Sequence, residues 1–128
     1  IRILYAENLG AWGSFGGEWP PAVRFWVLAI IPALVVAGLT IYMLFKRDMK
    51  RWETIAFTFI LSGGAGNLID RIRFGYVVDF MWMGIGKIGT NIFNIADVAI
   101  MTGAITLILQ ALAQYWEKKK VSQINSSD

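Results

Sequence analysis

The segment Phe25 to Phe45, FWVLAIIPALVVAGLTIYMLF, decides how the rest of the chain is read. It is uncharged throughout and bounded by Arg24 and Lys46. About 20 apolar residues in helical form cross a ~30 Å hydrocarbon layer, so the segment is long enough to span a membrane. Pro32 lies inside it and is expected to kink the helix, which membrane helices tolerate. Composition agrees: 56% of the 128 residues are hydrophobic and 16% are charged, against roughly 25% charged in soluble domains. A chain of this length reads as one membrane-embedded domain whose core is made by helices packing on one another.

Working outward, two further spans follow. The spans are placed at 23–46, 52–70 and 91–117, which gives a mainly α fold, a polytopic membrane helix bundle. The second is the weakest, with Glu53 at its start and Gly63, Gly64 and Gly66 near its end. Basic residues set the orientation. Lys46, Arg47, Lys50 and Arg51 follow the first span, and Lys118, Lys119 and Lys120 follow the third. Both clusters belong on the cytoplasmic side, so residues 1–22 and 71–90 face outward and 118–128 form a cytoplasmic tail. The polar end of that tail, VSQINSSD, is expected to be unstructured. An outer amino-terminal segment followed by an inward span calls for an earlier span upstream of Ile1, and we expect one to precede the chain. The outer runs IRILYAEN (1–8) and GYVVDFMWM (75–83) are rich in β-branched and aromatic residues and read as strands at the membrane surface. Trp12, Trp19, Trp26 and Trp82 suit an interfacial belt.

Elimination narrows the chemistry. The chain has no cysteine and no histidine, which removes disulfides, thiolate nucleophiles and the commonest general base and metal ligand. The net charge of +3 sits at span ends and reads as topology, so no nucleic-acid partner is expected. What remains is a small polar set. Asp97 stands at the mouth of the third span, three residues after Asn94 and on the same helical face. Its bland reading is a carboxylate favoured by the helix amino terminus; its functional reading rests on the cost of an ionisable group within a span. Asp79, in VVDF, reads equally well as a strand-edge charge that discourages aggregation. Asp70 follows Asn67 in a second N-x-x-D unit, and an ion pair with Arg71 or Arg73 is the preferred reading for it. Gly63, Gly64 and Gly66 read first as close helix contact, with close backbone approach to a ligand as the alternative. The topology brings Asp70, Asp79, Asp97, Asn67, Asn94 and Arg71 to one depth near the outer surface.

Two chemistries fit such a set. One is a carboxylate pair sharing a proton and activating water. The other is a divalent metal on oxygen ligands, suited to phosphoryl transfer. A third reading, a non-enzymatic membrane subunit, needs these residues only for packing.

GGAGNLIDR (63–71), VVDF (77–80) and FNIADVAI (93–100), in this order and spacing, resemble bacterial lipoprotein signal peptidase, also called signal peptidase II. ENLGAWGS (7–14) is similar to that family's outer asparagine-glycine-alanine motif. The resemblance implies an aspartic endopeptidase of the bacterial inner membrane, with four spans, a small β-cradle and a mobile surface helix near residues 11–22. It implies cleavage of signal peptides from diacylglyceryl-modified prolipoproteins near the periplasmic face, by a monomer in contact with membrane lipid. By motif, the catalytic pair falls on Asp79 and Asp97. Asn8, Gly10, Asn67, Arg71 and Asn94 bind substrate or shape the site, and Gly63, Gly66, Asp70 and Ala96 support it. Cyclic-peptide inhibitors of the globomycin type bind the same cleft in that family, and neither metal nor cofactor is implied. The family's first span has no counterpart here, and Trp12 stands where a smaller residue is expected.

Overall fold

The computed structural model describes residues 1–85 and 88–125. Three long helices make the bundle. The first, α1, runs Pro21–Phe45, with proline in its first turn, where a missing N–H breaks no helical bond. Around Pro32 the helix does not break. The preceding residues Trp26–Ile30 widen into a π turn, and the Ile31 N–H reaches back to the Trp26 carbonyl. A proline ring crowds the carbonyl four residues back, and a widened turn relieves that crowding. Leu28 and Ala29 of this turn are buried.

The second helix, α2 (Arg51–Phe74), begins where the Lys50 N–H and the Lys46 ammonium both meet Glu53 Oε2, at 3.3 and 3.2 Å. It ends at Gly75, whose φ of 81° only glycine adopts cheaply and whose N–H closes onto the Arg71 carbonyl. The helix therefore runs one turn beyond Asp70, where the sequence placed the end of the span. The third helix, α3, is Ile95–Asn125. The tail expected to be unstructured is helical through Asn125, because residues 117–125 contain no Gly or Pro and include good helix formers. The last three residues of the tail, and Gly86 and Lys87 of the outer β segment, lie outside the described residues.

Among the described residues two helices are long and apolar enough to cross a membrane, Pro21–Phe45 and Ile95–Gln123. Between them stands α2, packed on both. It approaches α3 very closely: a Cβ at Gly63 would fall on the Ala96 carbonyl oxygen, and one at Gly103 on the Ala56 carbonyl oxygen. Small residues thus let the two backbones touch.

Above the bundle, β1 (Arg2–Asn8) pairs antiparallel with β2 (Val77–Trp82), Ala6 opposite Asp79 and Asn8 opposite Val77, with an irregularity between Ile3 and Ala6. The other edge of β2 is bonded to Phe93, just ahead of α3: Met81 N–H donates to the Phe93 carbonyl at 2.8 Å, and Phe93 N–H to the Met81 carbonyl at 2.9 Å. A two-residue ladder, β3 (Gly84–Ile85) with β4 (Ile88–Gly89), follows β2. Where a surface helix was expected there is a single 3-10 turn at Trp12–Ser14, with Gly13 and Ser14 both left-handed at φ 66° and 63°. Two successive positive φ angles cannot be continued as a right-handed helix.

Candidate active site

The site grows from the amino terminus of α3. Asn94 caps the helix and Asp97 sits three residues in. The Asp97 N–H donates to Asn94 Oδ1 at 3.0 Å, and the Asn94 N–H donates to Asp97 Oδ2 at 3.1 Å. This reciprocal pair is a capping box, which satisfies two helix-end donors at once. It also fixes both side chains. The Asn94 amide nitrogen is left to donate outward, to Asp79 Oδ1 at 2.8 Å and to Asn67 Oδ1 at 3.0 Å. Asn67 then donates to Asp97 Oδ1 at 2.9 Å. On the far side, Asn8 donates to Asp79 Oδ2 at 2.8 Å and to the Ala11 carbonyl at 3.1 Å, while its own oxygen accepts the Gly10 N–H. Arg71 donates to the Gly10 carbonyl at 3.0 Å, tying that turn to α2.

All four carboxylate oxygens of Asp79 and Asp97 therefore each accept an amide N–H. The donors come from β1, α2 and the start of α3, and among the described residues Asn94 is the one that hydrogen-bonds both aspartate carboxylates. Asp79 is 3% exposed and Asn94 5%. Burial pushes the Asp79 carboxyl above the ordinary carboxylate range, since desolvation disfavours its charge. The Asn8 and Asn94 amides oppose the rise, the Asp97 charge adds to it, and Arg71 opposes it.

Two readings of the sequence change here. Asp79 is no exposed strand-edge charge; its side chain turns inward between Asn8 and Asn94. Asp70 makes no ion pair with Arg71 or Arg73 within 4.0 Å; its Oδ2 accepts the Val78 N–H at 3.2 Å, fastening β2 to α2 one residue before Asp79. The supporting residues fall where helix contact needs them, with Gly63 against the Ala96 carbonyl and Gly66 3.5 Å from the Ala96 side chain.

A cavity of about 250 Å³ takes in both aspartates with Asn8, Asn67 and Arg71 in its wall. The buried Nε–H of Arg71 has no hydrogen-bond partner among the described residues. Leu28 and Pro32 of the π-turn region and Ile100 of α3 complete the apolar side. Leu28 and Pro32 escaped the sequence reading, because nothing in an apolar span marks which face a distant motif will meet. Ile100 had a usable signal, since it lies one turn from Asp97 on the same face.

A family model described as signal peptidase (SPase) II matches residues 1–113. The chain belongs to the signal peptidase II family. The lipoprotein signal peptidase of Psychromonas ingrahamii is 43% identical over 112 residues, covering 87% of this chain and 64% of that protein. That of Sphingopyxis alaskensis is 37% identical over 113 residues, covering 88% and 64%. The chain thus spans under two thirds of the length of these signal peptidase II relatives. A solved bacterial membrane enzyme, determined by the in meso method at 2.3 Å, superposes with a TM-score of 0.75 at 29% identity, over 91% of this chain and 68% of that one.

Proposed function

We propose that the protein is an aspartic endopeptidase that removes signal peptides from diacylglyceryl-modified prolipoproteins in the bacterial inner membrane, with Asp79 and Asp97 as its catalytic pair. The observation that carries this reading is the bridge made by Asn94. One residue, fixed by a helix cap, bonds two carboxylates from separate elements beside a common cavity, its side-chain amide meeting Asp79 and its backbone N–H meeting Asp97. Family membership supports the substrate class. The orientation follows from the basic residues at 46–51 and 118–120, which put the site near the periplasmic face. In this reading α2 crosses the membrane with α1 and α3; its 24 residues at ~1.5 Å each are long enough to do so.

The chemistry divides between unlike carboxyls. Asp79, buried and raised, carries the shared proton. Asp97, whose carboxyl shares the cavity with Asp79, serves as the base. Asp97 takes a proton from water as the water oxygen bonds to the scissile carbonyl carbon, and Asp79 gives its proton to the carbonyl oxygen. The resulting gem-diol collapses when Asp97 returns its proton to the amide nitrogen and Asp79 recovers one from a hydroxyl, so the C–N bond breaks without an acyl-enzyme. The unpaired Nε–H of Arg71 is placed to meet a substrate oxygen, and Asn8 and Asn67 hold the carboxyls apart. Cyclic peptides of the globomycin type would compete for this cavity.

The test is Asp79→Asn and Asp97→Asn, made separately in the whole protein and assayed on a diacylglyceryl-modified prolipoprotein. Each should lose about 10²–10⁴-fold in turnover, the usual worth of an acid or base. Near-normal cleavage by either folded variant would end the proposal.

A further inference from the structure

We infer that strands β3 and β4 dip into the membrane, with Ile85 and Ile88 seated in the lipid of the outer leaflet. Ile85 is 91% and Ile88 83% exposed, among the most exposed large apolar side chains in the protein. They are direct cross-strand partners, so both side chains leave the ladder on one face and form a single apolar patch. A ladder of two residues per strand is not stable in water by itself. This one is braced from behind. The Trp82 ring lies flush on Gly84 and Gly89, where any Cβ would enter the indole, and Arg2 covers the ring at 5.3 Å from its centroid. The closing bonds run from Thr90 N–H to the Met83 carbonyl at 2.7 Å and from Met83 N–H to Thr90 Oγ1 at 3.1 Å. The sheet therefore presents the isoleucines on a stiff support.

The occupant is set by continuity with the lipid-facing surface of α3. A groove of about 710 Å³ is walled by Gly89 and Thr90 above and by Val98, Met101 and Ile105 of α3 below. Its lower wall belongs to a helix apolar enough to cross a membrane and almost unburied by protein. Gly89 of β4 shares this groove with α3, so the lipid around α3 is the apolar phase within reach of the neighbouring isoleucine pair. Interfacial burial of a small apolar patch beside tryptophan is a stable arrangement at the headgroup boundary. Seated this way, the two strands would fix the height of β2, and with it Asp79, relative to the bilayer.

The chain has no cysteine, so single Ile85→Cys, Ile88→Cys and Asp48→Cys variants can each carry one environment-sensitive nitrobenzoxadiazole label. Asp48 lies exposed in the loop between α1 and α2 and reports water. The whole protein is placed in bilayer nanodiscs of equal parts phosphatidylethanolamine and phosphatidylglycerol, so that both membrane faces meet the aqueous reagents. Labels at 85 and 88 should lose most of their emission to brominated acyl chains and little to aqueous iodide, with the reverse at 48. The unlabelled cysteines, treated with a charged maleimide, remove any pull exerted by the dye. Modification at 85 should be about tenfold or more slower than at 48, a ratio that burial of one isoleucine supports. Iodide quenching and maleimide rates at 85 and 88 equal to those at 48 would overturn the inference, whatever the catalytic outcome at Asp79 and Asp97.

Discussion

Replacing Asn94 by aspartate separates the two duties of that residue. Aspartate is as good a helix cap as asparagine, so the bond from the Asp97 N–H survives and α3 starts as before. What is lost is the amide donor that reaches Asp79 at 2.8 Å and Asn67 at 3.0 Å. A bond to a charged group is worth about 1.5–3 kcal/mol and a neutral one about 1 kcal/mol. A new carboxylate also faces the single charge of the Asp79–Asp97 pair: two unit charges ~4 Å apart repel by about 4 kcal/mol at an effective dielectric near 20. That repulsion equals about three pKa units, so the cluster takes up a second proton at a pH where the native site holds one. Once protonated, the new side chain regains an O–H donor for Asp79. For Asn94→Asp, kcat/KM should therefore fall about 10²–10³-fold at pH 8, the size of a 3–4 kcal/mol loss, and recover at least about tenfold toward pH 5.5. Stability should move the same way. A carboxyl whose pKa is raised by folding contributes stability that is complete below its unfolded value and is lost as pH climbs through its folded value. The Tm of the variant should thus decline as pH rises from about 4 to about 7; Asn94→Ala loses the cap, about 1 kcal/mol, and also the amide that opposes the rise of the Asp79 carboxyl, so its deficit should widen with pH too, but less, because it adds no charge. Prolipoprotein cleavage and thermal unfolding over that pH range provide the assay. Native cleavage at pH 8 with an unchanged Tm profile would show that the amide does not couple the two aspartates.

The same reasoning covers smaller changes. Gly63→Ala should destabilise by about 1–3 kcal/mol, the cost of overpacking, because its Cβ meets the Ala96 carbonyl, which is backbone and cannot yield. Gly66→Ala, at 3.5 Å from a methyl group, should be tolerated, and Gly38→Ala, with nothing within 4 Å, should stabilise α1 by about 0.5–1 kcal/mol; thermal unfolding ranks the three. Asp70→Ala should cost about 1–2 kcal/mol through the unsatisfied Val78 N–H, and Asp70→Asn much less, since an amide oxygen still accepts. Asp79→Asn removes a carboxyl with a raised pKa. The Tm difference, variant minus native, should therefore grow more favourable to the variant as pH rises above the ordinary carboxylate value, and an unchanged difference between acid and neutral pH would contradict the burial of that charge.

Much of the fold was legible because lipid imposes simple demands on sequence. An uncharged run of the right length and β-branched runs beyond it give helices and strands with little dependence on tertiary contact. Boundaries were less legible. Gly75 extended α2 past Asp70, and the tail stayed helical because no residue stops it. The turn at Trp12–Ser14 replaced an expected helix because Ser14 adopts a left-handed conformation that its residue type does not announce.

By itself the sequence determined a membrane protein with no thiol or imidazole and with its polar residues gathered at one end. It also showed the motif order that marks the family. Spacing could not choose among three aspartates, since Asn67-x-x-Asp70 and Asn94-x-x-Asp97 are the same pattern, and only the motif resemblance pointed to Asp79 and Asp97. What tertiary structure decided is where each carboxylate finds its donors. Asp70 turns to a strand N–H, whereas Asp79 and Asp97 meet through Asn94. These bonds join residues from different elements, brought together only when α2 and α3 close on Gly63 and β2 is fastened on both edges. Local spacing carries no record of that closure, so the hydrogen-bond network is visible only in the folded chain.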